Sequence, residues 1–189
     1  VKDKLRKEVL DARSRLSPDD RRTKSIEIEA RLFRLPAFRA ADRVLFFASF
    51  QSEVDTHHMI RRALEEGKRV VLPKVKGKEL ELFEIANFDN DVMPGAWGIP
   101  EPGGAAVRRA ELKDIGLIVV PGAAFDGRGN RIGYGAGFYD KLLAAYQGPT
   151  VAVAFELQIV PAVPAEPHDV PVKAIVTEAR LIVAGSPRS

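Results

Sequence analysis

Residues 117–143, LIVVPGAAFDGRGNRIGYGAGFYDKLL, decide the fold. Leu117 to Val120 form an unbroken apolar run, which reads as a short buried strand. Pro121 and Gly122 end it. A loop with Gly127, Gly129, Gly133, Gly135 and Gly137 follows, and from Phe138 the apolar residues Leu142, Leu143 and Tyr146 recur at helical spacing. A strand therefore feeds a glycine-rich loop, and the loop opens a helix. Glycines let backbone amides come close to an oxygen-rich ligand, and a helix start adds unpaired N–H groups and a partial positive charge. Phosphate suits such a site best. Arg131 and Lys141 can add full charges, and Asp140 can hold a cation next to the phosphates. The spacing is neither G-x-x-x-x-G-K-[ST] nor G-x-G-x-x-G, so on this stretch alone a plain tight turn stays open.

The flanking chain supplies the rest of the sheet. Val44 to Ala48, Arg69 to Leu72, residues 80–86, Val151 to Phe155, Val172 to Val176 and Leu181 to Ala184 read as further strands. Residues 2–16 predict an amphipathic helix with Leu5, Val9, Ala12 and Leu16 on its apolar stripe. Ser17 caps a second helix that starts at Pro18 and ends before Pro36. A third runs from His57 to Glu66 and stops at Gly67; residues 87–116 look mostly irregular. Apolar runs alternating with helices predict one α/β domain over 1–189, a Rossmann-like three-layer sandwich with a mainly parallel central sheet. Ligands of such sheets bind beyond the carboxyl ends of the strands. The loops at 49–55, 73–74, 121–137 and 155–158 are therefore expected to converge on one crevice.

The chain of 189 residues is 46% hydrophobic and 29% charged, as in a soluble globular protein, and has no apolar run of membrane-spanning length. The charged N-terminus predicts no signal peptide, and a cytoplasmic location with no membrane partner is expected. With no cysteine, thiolate chemistry and disulfides are excluded, and three histidines make a zinc site a poor reading. The net charge of +3 is uneven: residues 1–43 hold 13 Lys/Arg against 8 Asp/Glu. The aromatics in that segment, Phe33 and Phe38, sit among apolar residues, so a phosphorylated small molecule fits better than nucleic acid. Lys2, Arg6 and Arg13 share one stripe of the first helix, where a solvated basic face is the simpler reading.

Read together, the motifs resemble the 5-formyltetrahydrofolate cyclo-ligase family, also called methenyltetrahydrofolate synthetases. The most specific is P-G-x-A-F-D-x-x-G-x-R-x-G-x-G-x-G-x-Y-D, from Pro121 to Asp140. Around it stand K-x-x-L-R at Lys2 to Arg6, E-V-D-T at Glu53 to Thr56, L-P-K at Leu72 to Lys74 and W-G-I-P-E-P at Trp97 to Pro102. A-F-x-x-Q at Ala154 to Gln158, H-D at His168-Asp169 and T-E at Thr177-Glu178 complete the order. The chain departs from many members at Tyr134 and Ala136, where they carry basic residues, and at Phe138, where they often carry tyrosine.

The resemblance implies an enzyme that closes 5-formyltetrahydrofolate to 5,10-methenyltetrahydrofolate with ATP as co-substrate and Mg²⁺, working as a monomer. It implies ATP contacts from Lys2, Arg6, Arg131, Gly133, Tyr134, Gly135, Ala136, Gly137, Phe138 and Tyr139. Arg131 and Tyr139 are the candidate catalytic residues, and Asp140 the Mg²⁺ ligand. Glu53 resembles the family's folate-binding carboxylate, and Phe50, Trp97 and Tyr139 are candidate walls for the pterin. Each has a plainer alternative: a loop–carboxylate ion pair for Arg131, a favourable first-turn charge for Asp140, a helix-entry charge for Glu53, core packing for Phe50, loop packing for Tyr139. Asp126 is expected to fix the glycine loop by turn hydrogen bonds. Competing functions are a non-catalytic nucleotide- or folate-binding regulator on the same scaffold and a nucleic-acid-binding module using residues 2–43.

Overall fold

The structure, a computed structural model, describes residues 1–185. Its strands are β1 (Arg43–Leu45), β2 (Arg69–Lys76), β3 (Glu79–Ile85), β4 (Val92–Pro94), β5 (Pro100–Pro102), β6 (Arg108–Ala110), β7 (Leu117–Val120), β8 (Ala124–Phe125), β9 (Arg131–Ile132), β10 (Thr150–Val153), β11 (Ala174–Val176) and β12 (Leu181–Val183). Its α-helices are α1 (Lys2–Ser14), α2 (Pro18–Arg34), α3 (Pro36–Ala40), α4 (His57–Glu65), α5 (Phe88–Asp91) and α6 (Phe138–Ala144). Eight strands form the main sheet in the order β12-β11-β10-β7-β1-β2-β3-β6. The run from β11 to β2 is parallel; at the edges β12 pairs antiparallel with β11, β3 with β2 and β6 with β3.

Strand alternation divides the apolar residues between two faces. Val44, Leu117, Val119, Val151 and Val153 point to one side, against Ile28 and Leu32 of α2, Phe38 of α3 and Met59 and Ile60 of α4. Leu45, Ile118, Val120, Ala152 and Ile175 point to the other, with Leu143 of α6 and Phe125. The apolar run at 117–120 is explained by this: β7 is covered on both faces and all four residues are buried. α1 lies apart and packs Val9 with Ala123, Ala124, Ile132 and Val163. Ser17 caps α2 as expected, accepting the Asp20 N–H at 3.0 Å. No helix among the described residues is long and apolar enough to cross a membrane.

Three segments differ from the sequence reading. β2 does not stop at Leu72 but runs through Pro73 to Lys76, paired along its length with β3. Pro73 is tolerated there because β1 has ended at Leu45, so no strand lies on that edge of β2 to need its missing N–H. Residues 87–116 contain α5, capped by the Asn87 side chain, and the hairpin β4–β5, whose prolines hid it. The glycine-rich loop is two structures: a hairpin, β8–β9, and then the loop 133–137. The hairpin tip is set by Asp126, whose carboxylate accepts N–H bonds from Arg128, Asn130 and Val163.

Gly129 sits in that tip with φ +83°, where a Cβ would come within 2.2 Å of the Val172 carbonyl oxygen. That carbonyl belongs to backbone that is itself tied to Gly129, through the Val172 N–H to Gly129 O bond of 2.9 Å. Gly129→Ala is therefore expected to destabilise the fold by on the order of 2–4 kcal/mol, from left-handed strain and overpacking together. A thermal melt should show Tm lower by roughly 5–15 °C; an unchanged Tm would contradict the tip geometry.

Candidate active site

The carboxyl ends of β1, β2 and β7 open onto a cavity of about 620 Å³. The loop 133–137 and the first turn of α6 line it, and so do residues just after β1. Lys2, Arg6, Glu53, Trp97, Arg131, Tyr139 and Asp140 all line it, as do the loop residues Gly133 to Phe138. Of the four loops expected to converge, 155–158 does not reach the cavity. Its Gln158 is buried and donates through Nε2 to the Gly122 and Ala123 carbonyls at 2.9 and 3.1 Å, supporting the hairpin from beneath.

Arg131 stands at the junction of hairpin and loop, its side chain only 4% exposed. Nη1 donates to Pro121 O at 3.0 Å and Nη2 to Asp140 Oδ1 at 3.2 Å. The ion-pair alternative thus holds, and its partner is the other candidate, Asp140. Of the guanidinium's five donors three remain, and the buried Nε has no partner; neither does the buried Tyr139 hydroxyl. Orphaned buried polar atoms of this kind are uncommon, and both belong to residues on the cavity wall. Burial pushes the Arg131 pKa down and the Asp140 carboxylate opposes this; a guanidinium stays charged regardless. Burial, with the charge of Glu53, pushes the Tyr139 phenol up, so it is a donor at neutral pH. Space also dictates sequence here: a Cβ on Gly133 would lie 3.0 Å from Arg131 Nη1. Gly135 and Gly137 instead need glycine for their backbone, at φ +106° and +74°.

Glu53 lines the same cavity. The Phe50 N–H donates to its Oε1 at 2.8 Å and the Tyr134 hydroxyl to its Oε2 at 3.1 Å. Burial pushes the carboxyl up, opposed by the Phe50 N–H and by the charge of Arg13. The turn behind it is clamped by Ser49 and Thr56: each N–H donates to the other's hydroxyl, at 2.9 and 3.0 Å, and Thr56 Oγ1 donates to Phe47 O at 2.6 Å. That clamp is why the threonine of E-V-D-T is fully buried. His57 packs on Phe88 with ring centroids 4.9 Å apart and places Nε2 2.8 Å from Ser49 O.

The N-terminal helix brings its cations to the same cavity, but not bare. Lys2 Nζ pairs with Asp169 at 2.9 Å, which raises its pKa, and Arg6 Nε donates to Gly133 O at 2.8 Å. Arg13 is buried at 5% exposure. Trp97 is 74% exposed, with φ +56°, at the tip of the β4–β5 hairpin over the cavity. Phe50 is outside the lining; its ring packs against Gly98 of that tip. The sequence reading missed Phe47, Val75, Leu80 and Ile99, which give the cavity its apolar floor and rim. Leu80 belonged to the alternating apolar face of β3, but alternation does not say which end of a strand overhangs a site.

No group of three or more His, Asp or Glu able to hold a metal occurs among the described residues. Asp140 alone fits a Mg²⁺ whose remaining ligands are phosphate oxygens and water, the usual mode for that ion.

An open sheet with a crevice at the carboxyl edge of its central strands marks an α/β protein that binds its ligands at that edge. Comparison makes the class particular: residues 1–178 match the model described as the 5-formyltetrahydrofolate cyclo-ligase family. The chain belongs to that family. It is 29% identical over 186 residues to the 5-formyltetrahydrofolate cyclo-ligase of Mus musculus, covering 92% of each chain. It is 29% identical to that of Escherichia coli, over 89% of this chain and 96% of the relative. The solved structure of 5,10-methenyltetrahydrofolate synthetase from Aquifex aeolicus matches with a TM-score of 0.87 at 36% identity, covering 100% of this chain and 95% of its own.

Proposed function

We propose that this crevice converts 5-formyltetrahydrofolate to 5,10-methenyltetrahydrofolate, with ATP as phosphoryl donor and Mg²⁺ as its counter-ion. The reading rests on one observation above all: a single cavity is lined by the glycine loop, the Arg131–Asp140 pair and the Glu53 carboxylate. The formyl group is an amide of N5, and closing the ring requires loss of its oxygen, a poor leaving group as hydroxide. In the proposed reaction that oxygen attacks the γ-phosphorus and the bond to ADP breaks. N10 then adds to the activated carbon, phosphate leaves with the former formyl oxygen, and N10 gives up its proton.

The residues divide accordingly. Amides of Gly133, Gly135 and Gly137 face the phosphates. Arg131 supplies its remaining donors to the transferring group, a preorganised cation in a site largely shielded from water. Lys2 and Arg6 add positive charge at the loop. Asp140 would hold Mg²⁺, which neutralises phosphate charge. Glu53 accepts N–H bonds from the amino-pyrimidine ring, and Trp97 covers the pterin face. Tyr139, protonated and without a partner, donates to a ligand oxygen in the cavity.

Incubation with Mg·ATP and 5-formyltetrahydrofolate should produce the methenyl chromophore, with ADP and phosphate formed one-to-one with it. Omitting ATP or the divalent cation should abolish the product. Product without ATP, or AMP in place of ADP, would overturn the reading.

A further inference from the structure

The glycine loop and the turn that carries Glu53 are joined by side chains that the transfer itself does not require. Tyr134 rises from the loop with its ring partly in solvent, the residue being 47% exposed, but its hydroxyl has three polar partners. That oxygen accepts a bond from Arg13 Nη1 at 2.8 Å and lies 3.1 Å from Glu53 Oε2 and 3.2 Å from Gly122 O. Arg13 is buried, donates through Nε to Ser52 Oγ at 3.0 Å, and keeps its guanidinium 5.7 Å from the centre of the Tyr134 ring. Ser52 is the residue before Glu53, so Arg13 grips both the carboxylate's own turn and the phenol that bonds the carboxylate. With Arg13 donating to the phenol oxygen, the single phenolic proton is left to be donated to Glu53 or Gly122.

The loop needs such a tie. Nothing lies within 4 Å of the Cβ positions at Gly135 and Gly137, so open space borders the loop at both glycines. Its anchors are the Arg6 bond to Gly133 O and the Tyr134 hydroxyl. We propose that Arg13 and Tyr134 are a positioning pair that couples the two halves of the crevice, so that a nucleotide on the loop and a folate on Glu53 bind with positive cooperativity. This rests on the assignment of the loop to nucleotide and Glu53 to folate made above. Phosphates seated on the loop amides order residues 133–137; the ordered loop holds the Tyr134 hydroxyl on Glu53 and fixes the carboxylate that the folate meets. The second ligand then finds its site already ordered, and linkage makes the effect reciprocal.

The test is a ratio measured within each variant of the full chain: the Kd of 5-formyltetrahydrofolate by calorimetry, without nucleotide and with a saturating Mg²⁺ complex of a non-hydrolysable ATP analogue. The unmodified protein should bind folate about 5-fold or more tighter with the nucleotide present, the lower end of ordinary coupling. Tyr134→Phe, which removes one oxygen, and Arg13→Met should each bring the ratio below about 2, and the double variant should bring it no lower, because both act through one path. Arg13→Lys should keep part of the coupling, since an ammonium can still donate to the phenol. A merely structural role would weaken folate binding equally with and without nucleotide and leave the ratio alone. A ratio of one in the unmodified protein, or the full ratio kept in Tyr134→Phe, overturns the proposal. Glu53→Gln separates the two failures. If it binds folate normally, the Glu53 assignment is wrong and the coupling falls with it; if it binds folate weakly while Tyr134→Phe keeps the full ratio, the coupling alone is wrong.

Discussion

Arg131→Ala should turn over on the order of 10²–10³ times more slowly than the unmodified enzyme at saturating substrates, by analogy with removal of one preorganised electrostatic stabiliser. The side chain is buried, fixed by Pro121 O and Asp140, and still has unclaimed donors, including the partnerless Nε. Such a cation needs no reorganisation when charge redistributes on the transferring phosphoryl group, so its loss falls mainly on kcat. Truncation also leaves Asp140 without its partner and Pro121 O without its donor. A melt must therefore accompany the kinetics, so that loss of folded protein is not read as loss of catalysis. Arg131→Lys should fall between the two, because an ammonium keeps the charge but cannot reproduce the guanidinium fork. Turnover of the folded alanine variant within threefold of the unmodified enzyme would return Arg131 to a purely structural ion pair.

Glu53→Gln should weaken 5-formyltetrahydrofolate binding about 10–100-fold, the equivalent of one charge-assisted hydrogen bond, while leaving nucleotide binding in the absence of folate nearly unchanged. The substitution is close to isosteric. A glutamine oxygen can still accept the Phe50 N–H, and its amide nitrogen can donate to the Tyr134 hydroxyl in place of accepting from it. What is lost is the second acceptor and the negative charge, and both would meet the same pterin donors in ground and transition states. The loss should therefore appear as a raised KM for folate with kcat largely kept. Titrating ATP and folate separately decides it; normal folate affinity, or an equal loss of ATP affinity, would contradict the role.

What could be read from the sequence was local. The four apolar residues at 117–120 announce a strand covered on both faces, and β7 is one. Ser17 before Pro18 and two acids announces a capped helix, and Asp126 before glycines announces a turn; both signals act within four residues of themselves. The four loops expected at one crevice also meet there, except that 155–158 serves as a buttress. What could not be read depends on partners far along the chain. Nothing at Lys2 foretells that Asp169 will bond it, nor at Arg13 that Tyr134 and Ser52 will take it out of water. Pro73 argues against a strand until one knows that the neighbouring edge is free. The prolines of 92–102 hid a hairpin, and with it the means by which Trp97 reaches the cavity.

In the proposed reaction the formyl oxygen is phosphorylated and leaves as phosphate. Turnover of 5-formyltetrahydrofolate labelled with oxygen-18 in the formyl group, followed by mass analysis of the inorganic phosphate, tests it directly. One labelled oxygen should be found in every phosphate formed with product. Unlabelled phosphate, with the label released into water, would contradict it.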